Sequence, residues 1–252
     1  MENPQGYVNE TCPACLSEDT EPKFQYESYD LDSCKTCGHM FVRQAPSMDE
    51  LAEFYGQLYE EAVGIKSKRK NRRLKYWAFS QYLKTVSKEK PIRLLEIGCN
   101  EGDLLSTVKN SKRFDAEGID YSKPVVEYAQ SLGLKAVQKD LFEMEYPDDT
   151  FDVVVAIHVV EHMQSPEATL TEILRILKPG GAFFAVMPCV SHYKAKRAGQ
   201  NWKYINPPHH LWYFSTQSYK AFLKRLGFKV QYVSCLYHRA HLRAIGRKPI
   251  ES

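Results

Sequence analysis

The fold is decided by the stretch Arg93-Leu-Leu-Glu-Ile-Gly98-Cys-Asn-Glu-Gly-Asp103-Leu-Leu105. An apolar run ends at Gly98 and a helical pattern begins after Gly102, so the stretch predicts a strand, a tight turn and a helix. Glycine lacks Cβ, and Asn100 is among the few other residues that tolerate positive φ, so a ligand can approach this backbone closely. The spacing differs from the dinucleotide fingerprint, and no Lys-Ser or Lys-Thr follows as in a phosphate-binding P-loop.

The pattern Glu96-x-Gly98-x-Asn100-x-Gly102 resembles motif I of the class I S-adenosylmethionine (SAM) methyltransferases, which more often have glycine at the place of Asn100. From these residues alone, an ordinary strand-to-helix turn is the other interpretation. The resemblance implies SAM as the ligand of the turn.

Acidic residues end the next two predicted strands. Asp120 closes the strand that begins near Ala116, and a carboxylate at this distance behind the turn can accept both hydroxyls of a ribose. Asp140 follows Val137 where SAM methyltransferases contact the adenine. The resemblance implies cofactor contacts for Glu96, Gly98, Cys99, Asn100, Gly102, Asp120, Tyr121, Asp140, Leu141 and His158.

The resemblance extends to Met187. An apolar run from Asp149 to Ile157 has the composition of a strand buried on both faces, and it leads into His158-Val-Val-Glu161-His162. A Leu-Lys-Pro-Gly-Gly turn ending at Gly181 precedes the fifth predicted strand, Ala182–Met187. We expect an α/β fold: a Rossmann-like class I methyltransferase sheet with helices on both faces, plus a small N-terminal zinc ribbon.

The predicted ribbon occupies residues 1–45. Cys12-Pro-Ala-Cys15 and Cys34-Lys-Thr-Cys37 have the spacing of two zinc knuckles, in which four thiolates enclose a structural Zn²⁺. Such a small module depends on the metal for its folding free energy. Two disulfides or plain buried thiols are the alternatives, which a cytosolic chain disfavours.

Residues 46–91 are predicted as a helical linker or cap. Ser47 can cap a first helix, and a second helix follows a basic run that could bind phosphate groups or be an ordinary solvated helix face. The run consists of Lys66, Lys68, Arg69, Lys70, Arg72, Arg73 and Lys75.

Residues 92–252 form the predicted methyltransferase domain, with an aromatic insertion at 188–214 that could roof a pocket. Within it, His209-His210-Leu-Trp-Tyr-Phe-Ser215 resembles a segment of zinc-ribbon methyltransferases that act on nucleotide-linked deoxysugars. The resemblance implies His210 as the base; the residue before it is often Glu in that family and is His209 here. His162 is a second candidate base, and each histidine could instead serve packing.

The deoxysugar enzymes transfer the methyl group to carbon and carry a further C-terminal domain. This shorter chain is therefore expected to perform O- or N-methyl transfer to a sugar, nucleotide-sugar or surface-glycan (capsule or lipopolysaccharide) precursor. One alternative is a zinc-ribbon RNA methyltransferase, although six acidic residues against two lysines between Cys12 and Cys37 disfavour an RNA-binding ribbon. The other is a non-catalytic interaction protein with the SAM fold.

Bulk properties are those of a globular chain. The net charge of +3 indicates neither a polyanion binder nor an acidic tail, and no signal peptide or membrane span is evident. We expect a soluble cytoplasmic protein. The sequence names neither the acceptor nor the oligomeric state.

Overall fold

The computed structural model describes residues 6–62, 70–88 and 90–250, with side chains described for all of these except 56–62 and 70–74. Of the predicted basic run, Lys66, Lys68 and Arg69 lie outside the described residues. The side chains of Lys70, Arg72 and Arg73 lie outside them as well. The phosphate-binding hypothesis for this run stays a prediction.

The chain divides into two compact units. The first comprises the chain up to Leu58, together with His158–Leu170 and Ala185–Gly246. The second comprises the described residues from Tyr59 to Ile157, with Thr171–Phe184 and the chain from Arg247 onward. The sequence division at residues 45 and 91 stays a prediction.

The N-terminal part of the first unit is a small antiparallel structure. Its strands are β1 (Tyr7–Val8), β2 (Thr20–Tyr26), β3 (Tyr29–Cys34), β4 (Met40–Val42) and β5 (Gln44–Ala45). Strands β2 and β3 form an antiparallel hairpin, and β1 pairs with β5. Helix α1 (Met48–Ala62) follows; the Ser47 side chain accepts from the Glu50 N–H, and the Ser47 N–H donates to the Glu50 carboxylate. This reciprocal pair is the capping box expected for Ser47.

The second unit contains the α/β core. Its elements begin with α2 (Lys70–Leu83), β6 (Ile92–Ile97), α3 (Asp103–Val108), β7 (Phe114–Asp120), α4 (Lys123–Ser131), β8 (Ala136–Gln138) and β9 (Phe151–Ile157). Strand β6 pairs in parallel with β7 and with β9, and β7 pairs in parallel with β8. Leu94 and Leu95 on β6 and Val153 on β9 have no exposed surface, as the continuous apolar runs predict.

The remaining elements are α5 (Pro166–Ile176), β10 (Leu177–Pro188), α6 (Tyr193–Ala198), β11 (Trp212–Tyr213), α7 (Thr216–Arg225), β12 (Lys229–Cys235) and β13 (His241–Arg247). Seven strands hydrogen-bond in the order β12-β13-β10-β9-β6-β7-β8. Strand β10 begins at Leu177, earlier than the sequence indicates. The Gly180 N–H donates to the Lys248 carbonyl, and the Lys248 N–H donates to the Gly181 carbonyl. This pairing keeps the glycine turn within the strand.

Strand β11 is a departure from the sequence prediction. It pairs with β4 and completes a four-stranded sheet of order β11-β4-β3-β2. Part of the aromatic insertion is therefore built into the cysteine-rich module. Within the described residues, no helix combines the length and the apolar character that crossing a bilayer requires.

Candidate active site

The turn between β6 and α3 has the backbone that its sequence predicts. Gly98, Asn100 and Gly102 have φ values of 65°, 48° and 75°. The Gly102 N–H donates to the Cys99 carbonyl, and the Cys99 N–H donates to the Ile119 carbonyl of β7. A Cβ on Gly102 would lie 2.4 Å from Leu134 Cδ1, so another residue here would displace Leu134 and would also be strained by the φ of 75°. The turn is closely packed while its backbone adopts the left-handed conformation.

Asp120 joins this turn to the end of β7. It is 9% exposed; its Oδ2 accepts from the Asn100 N–H at 2.8 Å and its Oδ1 from the Ser122 N–H at 2.9 Å. Burial raises the pKa of Asp120, and the hydrogen bonds from Ser122 and Asn100 oppose that shift. Each carboxylate oxygen can accept more than one hydrogen bond, so the oriented group can still bind a pair of hydroxyls.

Two buried polar atoms of this region lack a hydrogen-bond partner: Glu96 Oε2 and Ser122 Oγ. Glu96 is 4% exposed, and burial raises its pKa well above the usual value, with the charges of Asp103 and Asp120 adding to the effect. A buried acceptor without a donor destabilises a protein unless a ligand supplies one. These atoms fit a ligand such as SAM that brings donors of its own.

The other predicted cofactor residues lie around the same strand ends. Asp140 follows β8, and its Oδ1 accepts from the Glu143 N–H while its own N–H donates to the Glu143 carboxylate. Tyr121 is 61% exposed after β7, whereas Leu141 is buried. Their assignment to SAM stays a prediction.

His162, His209 and His210, predicted as separate candidates, lie together in the first unit. The ring centroids are 4.4 Å apart for His162 and His209, 4.6 Å for His162 and His210, and 4.9 Å for His209 and His210. We call these three residues the histidine cluster. Burial is the largest cause lowering the pKa of each imidazole to about 4, so all three rings are neutral at pH 7.

Backbone contacts join the segments that carry the cluster. His162 belongs to a 3₁₀ turn, Val160–His162, that follows β9. The Leu211 N–H donates to the Glu161 carbonyl, and Trp212 Nε1 donates to the Met163 carbonyl at 2.9 Å. These bonds hold the 3₁₀ turn against the segment that begins β11.

Glu161, which is buried beside the cluster, was not among the predicted site residues. Glu161 is 1% exposed; its Oε1 accepts from His158 Nδ1 at 3.0 Å and lies 4.0 Å from His162 Nε2. The Tyr55 hydroxyl donates to the His209 carbonyl at 3.3 Å. His158 was predicted as a cofactor residue; here its side chain contacts Glu161, and its ring lies 4.7 Å from that of His241. Glu161 stands in the Glu161-His162 pair, which was the available sequence signal.

Cys12, Cys15, Cys34 and Cys37, the cysteine cluster, converge as the knuckle spacing predicts. All four sulfurs lie within 4.8 Å of one another, with Cys12 and Cys37 3.6 Å apart and Cys15 and Cys34 3.7 Å apart. A tetrahedron with Zn–S bonds of about 2.3 Å places its sulfurs about 3.8 Å apart. All four are free cysteines rather than disulfides. The four sulfurs and their spacing therefore fit one Zn²⁺.

The aromatic residues near the C-terminal end of the predicted insertion are core rather than pocket roof. His39, Trp212 and Phe214 are buried, and the His39 ring lies 4.5 Å from that of Phe214 and 5.5 Å from that of Trp212. Ser215 Oγ donates to the Cys37 carbonyl at 2.9 Å, which fixes the end of β11 to the cysteine cluster.

Comparisons with curated proteins match about a third of the chain. Ajmaline N-methyltransferase of Rauvolfia serpentina is 33% identical over 100 residues, covering 36% of this chain and 34% of that protein. Phosphatidylethanolamine N-methyltransferase of Cereibacter sphaeroides is 36% identical over 97 residues, covering 35% of this chain and 47% of that protein. The chain thus spans about a third to a half of the length of these curated relatives.

Solved structures give the same fold. A SAM dependent methyltransferase from Archaeoglobus fulgidus superposes with a TM-score of 0.57 at 19% identity, covering 77% of this chain and all of that chain. A family model described as "Methyltransferase domain" matches residues 68–233, which is more than half of the sequence. The chain therefore belongs to this family and contains a class I SAM-dependent methyltransferase domain.

Proposed function

We propose that this protein transfers a methyl group from SAM to a small-molecule acceptor. The observation that carries the proposal is the pairing of Asp120 with the Asn100 N–H, which orients a carboxylate at the end of β7 beside a left-handed glycine turn. Bound SAM supplies a sulfonium-activated methyl group. In the proposal, Asp120 holds the ribose hydroxyls, Asp140 holds the adenine amino group, and Glu96 and the turn from Gly98 to Gly102 hold the amino-acid end.

The acceptor in this proposal is a sugar, a nucleotide-sugar or a surface-glycan precursor. The supporting pattern is the segment from His209 to Ser215, which resembles that of zinc-ribbon deoxysugar methyltransferases. The contact of Ser215 with Cys37 and the pairing of β11 with β4 support treating this segment and the cysteine-rich module as one functional element. Nucleotide-linked precursors are made in the cytoplasm, where we propose that the protein acts.

Transfer goes to oxygen or nitrogen with histidine as the base. His210 Nδ1 donates to the Tyr204 carbonyl at 2.8 Å, so its Nε2 carries a lone pair that can take the acceptor's proton. His162 and His209 are the other candidates. Positioning of the acceptor supplies the larger part of the rate, since the sulfonium already activates the methyl group.

The cysteine cluster holds a structural Zn²⁺ in this proposal. Four thiolates leave no open position on the metal, so the ion stabilises the fold and takes no part in methyl transfer. The division into a zinc ribbon at 1–45, a helical cap at 46–91 and a methyltransferase domain at 92–252 is part of the same proposal.

Two measurements test this function. Calorimetry should give saturable heat with SAM and with its demethylated product; no heat with either would contradict the cofactor assignment and leave a non-catalytic interaction protein. The protein is then incubated with labelled SAM and either a pool of nucleotide-sugars and glycan precursors or total RNA. Label in the precursor pool is the expected result, and label in RNA alone would favour an RNA methyltransferase.

A further inference from the structure

In two rings of the histidine cluster, a contact with a backbone carbonyl identifies the nitrogen that carries the hydrogen. His162 Nδ1 lies 2.5 Å from the His209 carbonyl, and His210 Nδ1 lies 2.8 Å from the Tyr204 carbonyl. A carbonyl accepts but cannot donate, so in both rings Nδ1 carries the hydrogen and Nε2 carries the lone pair. His209 Nδ1 is buried and has no hydrogen-bond partner.

One ring nitrogen from each of the three histidines lies within 4.8 Å of the other two. A divalent cation would be stabilised by lone pairs that converge on it from three imidazoles. A backbone carbonyl that fixes the tautomer of an imidazole is also the usual outer partner of a metal-binding histidine. His162 and His210 both have one.

A carboxylate lies beside the three imidazoles as a fourth polar group. Glu161 is 1% exposed, its Oε1 lies 4.0 Å from His162 Nε2, and its Oε2 is buried without a hydrogen-bond partner. A buried carboxylate of this kind favours a cation nearby. Imidazole ligands suit Zn²⁺, Fe²⁺, Co²⁺, Ni²⁺ and Cu²⁺ rather than Mg²⁺ or Ca²⁺.

The geometry points to a second metal site, in which one nitrogen each of His162, His209 and His210 binds a divalent first-row transition metal beside Glu161. Three protein ligands leave a position open for water or for an acceptor oxygen, as in catalytic rather than structural sites. The binding of the ion does not depend on methyl transfer. Where the ion is bound, His210 is a ligand, and activation of the acceptor passes from the imidazole to the metal.

The test uses the untagged full-length chain with its cysteine cluster left loaded. The protein is incubated with excess Co²⁺ or Zn²⁺ and desalted, and the metal is counted per chain by mass spectrometry. We expect one equivalent beyond that held by the cysteines, with a dissociation constant below about 10 μM. Added Co²⁺ should show ligand-field bands without the charge-transfer band that thiolate ligands give.

Matched variants assign the second equivalent. His210→Ala and His162→Ala should each lose it, while His238→Ala, which changes an exposed histidine outside the cluster, should keep it. Retained heat of SAM binding shows that a variant is folded. The Co²⁺ spectrum of the unaltered protein tests the site even if the variants do not fold. Absence of a second equivalent in the unaltered protein, or its retention in both cluster variants, would overturn the inference. Failure of SAM binding would instead count against the proposed function alone.

Discussion

The cysteine cluster and the histidine cluster lie in the same compact unit and differ in how their side chains could bind a ligand. The four sulfurs are spaced for a tetrahedron and would enclose an ion completely. The three imidazoles are neutral at pH 7, and the buried carboxylate of Glu161 lies beside them. In our proposals, the cysteine cluster serves stability, and the histidine cluster serves the binding or activation of a ligand.

Breaking the cysteine cluster should have the largest effect. Cys15→Ser removes one thiolate from the expected zinc site, and the module depends on that metal for folding. We expect a loss of several kcal/mol, seen as a drop in Tm of ten degrees or more (~10 °C) or as insoluble protein. Cys235→Ser, at a half-buried cysteine outside the cluster, is the control. An unchanged Tm with Cys15→Ser would mean that the cysteine cluster holds no stabilising metal.

Changing the histidine cluster should affect turnover and leave most of the stability in place. His210→Ala removes an imidazole that acts as base or as ligand, and we expect kcat to fall about 10²- to 10⁴-fold. Tm and SAM affinity should change little by comparison. The measurement is initial rate with the accepted substrate, with His238→Ala as the control. Full activity in His210→Ala would show that His210 acts neither as the base nor as an essential ligand.

The carboxylate of the glycine turn separates loss of chemistry from loss of cofactor. Asp120→Ala removes the acceptor of the two predicted ribose hydroxyls, whose hydrogen bonds are worth about 1.5–3 kcal/mol each, so SAM affinity measured by calorimetry should fall by at least about 100-fold. Glu127→Ala changes an exposed glutamate of α4 and should leave affinity unaltered. If Asp120→Ala binds SAM normally, the ribose assignment is wrong.

The smallest expected effect concerns the link between the two clusters. Ser215 caps α7 by accepting from the Ser218 N–H at 2.9 Å, and its hydroxyl donates to the Cys37 carbonyl. Ser215→Ala should cost about 1–2 kcal/mol in urea unfolding. Ser131→Ala, at an exposed serine near the end of α4, is the control. An equal loss of stability in both variants would show that the contact with Cys37 contributes nothing.

Local patterns predicted the α/β core well. The strand-turn-helix at Gly98, the strands ending near Asp120 and Ile157, and the cap at Ser47 are each encoded within a few neighbouring residues, because strand alternation and capping act at short range. The cysteine cluster was equally accessible, since two short knuckles fix its geometry.

Contacts between residues far apart in the chain could not be predicted from the sequence. His209 and His210 were identified by a local motif and His162 by another, but nothing local indicates that their rings meet or that Glu161 is buried beside them. Strand β11 has two residues, too short for any periodic signal, and its partner β4 lies far earlier in the chain. Trp212 was predicted in a pocket roof because aromatic content alone does not separate a ligand pocket from a core.

The pairing of β11 with β4 determines which truncations the protein tolerates. A chain beginning at residue 46 would retain every predicted methyltransferase motif. It would nevertheless leave β11 without its neighbour and expose Trp212 and Phe214, which pack on His39. The aromatic surface and open strand edge so created favour aggregation. The cysteine-rich module therefore cannot be removed without exposing residues that pack against it. Domain swaps with other methyltransferases should transfer residues 209–215 together with this module.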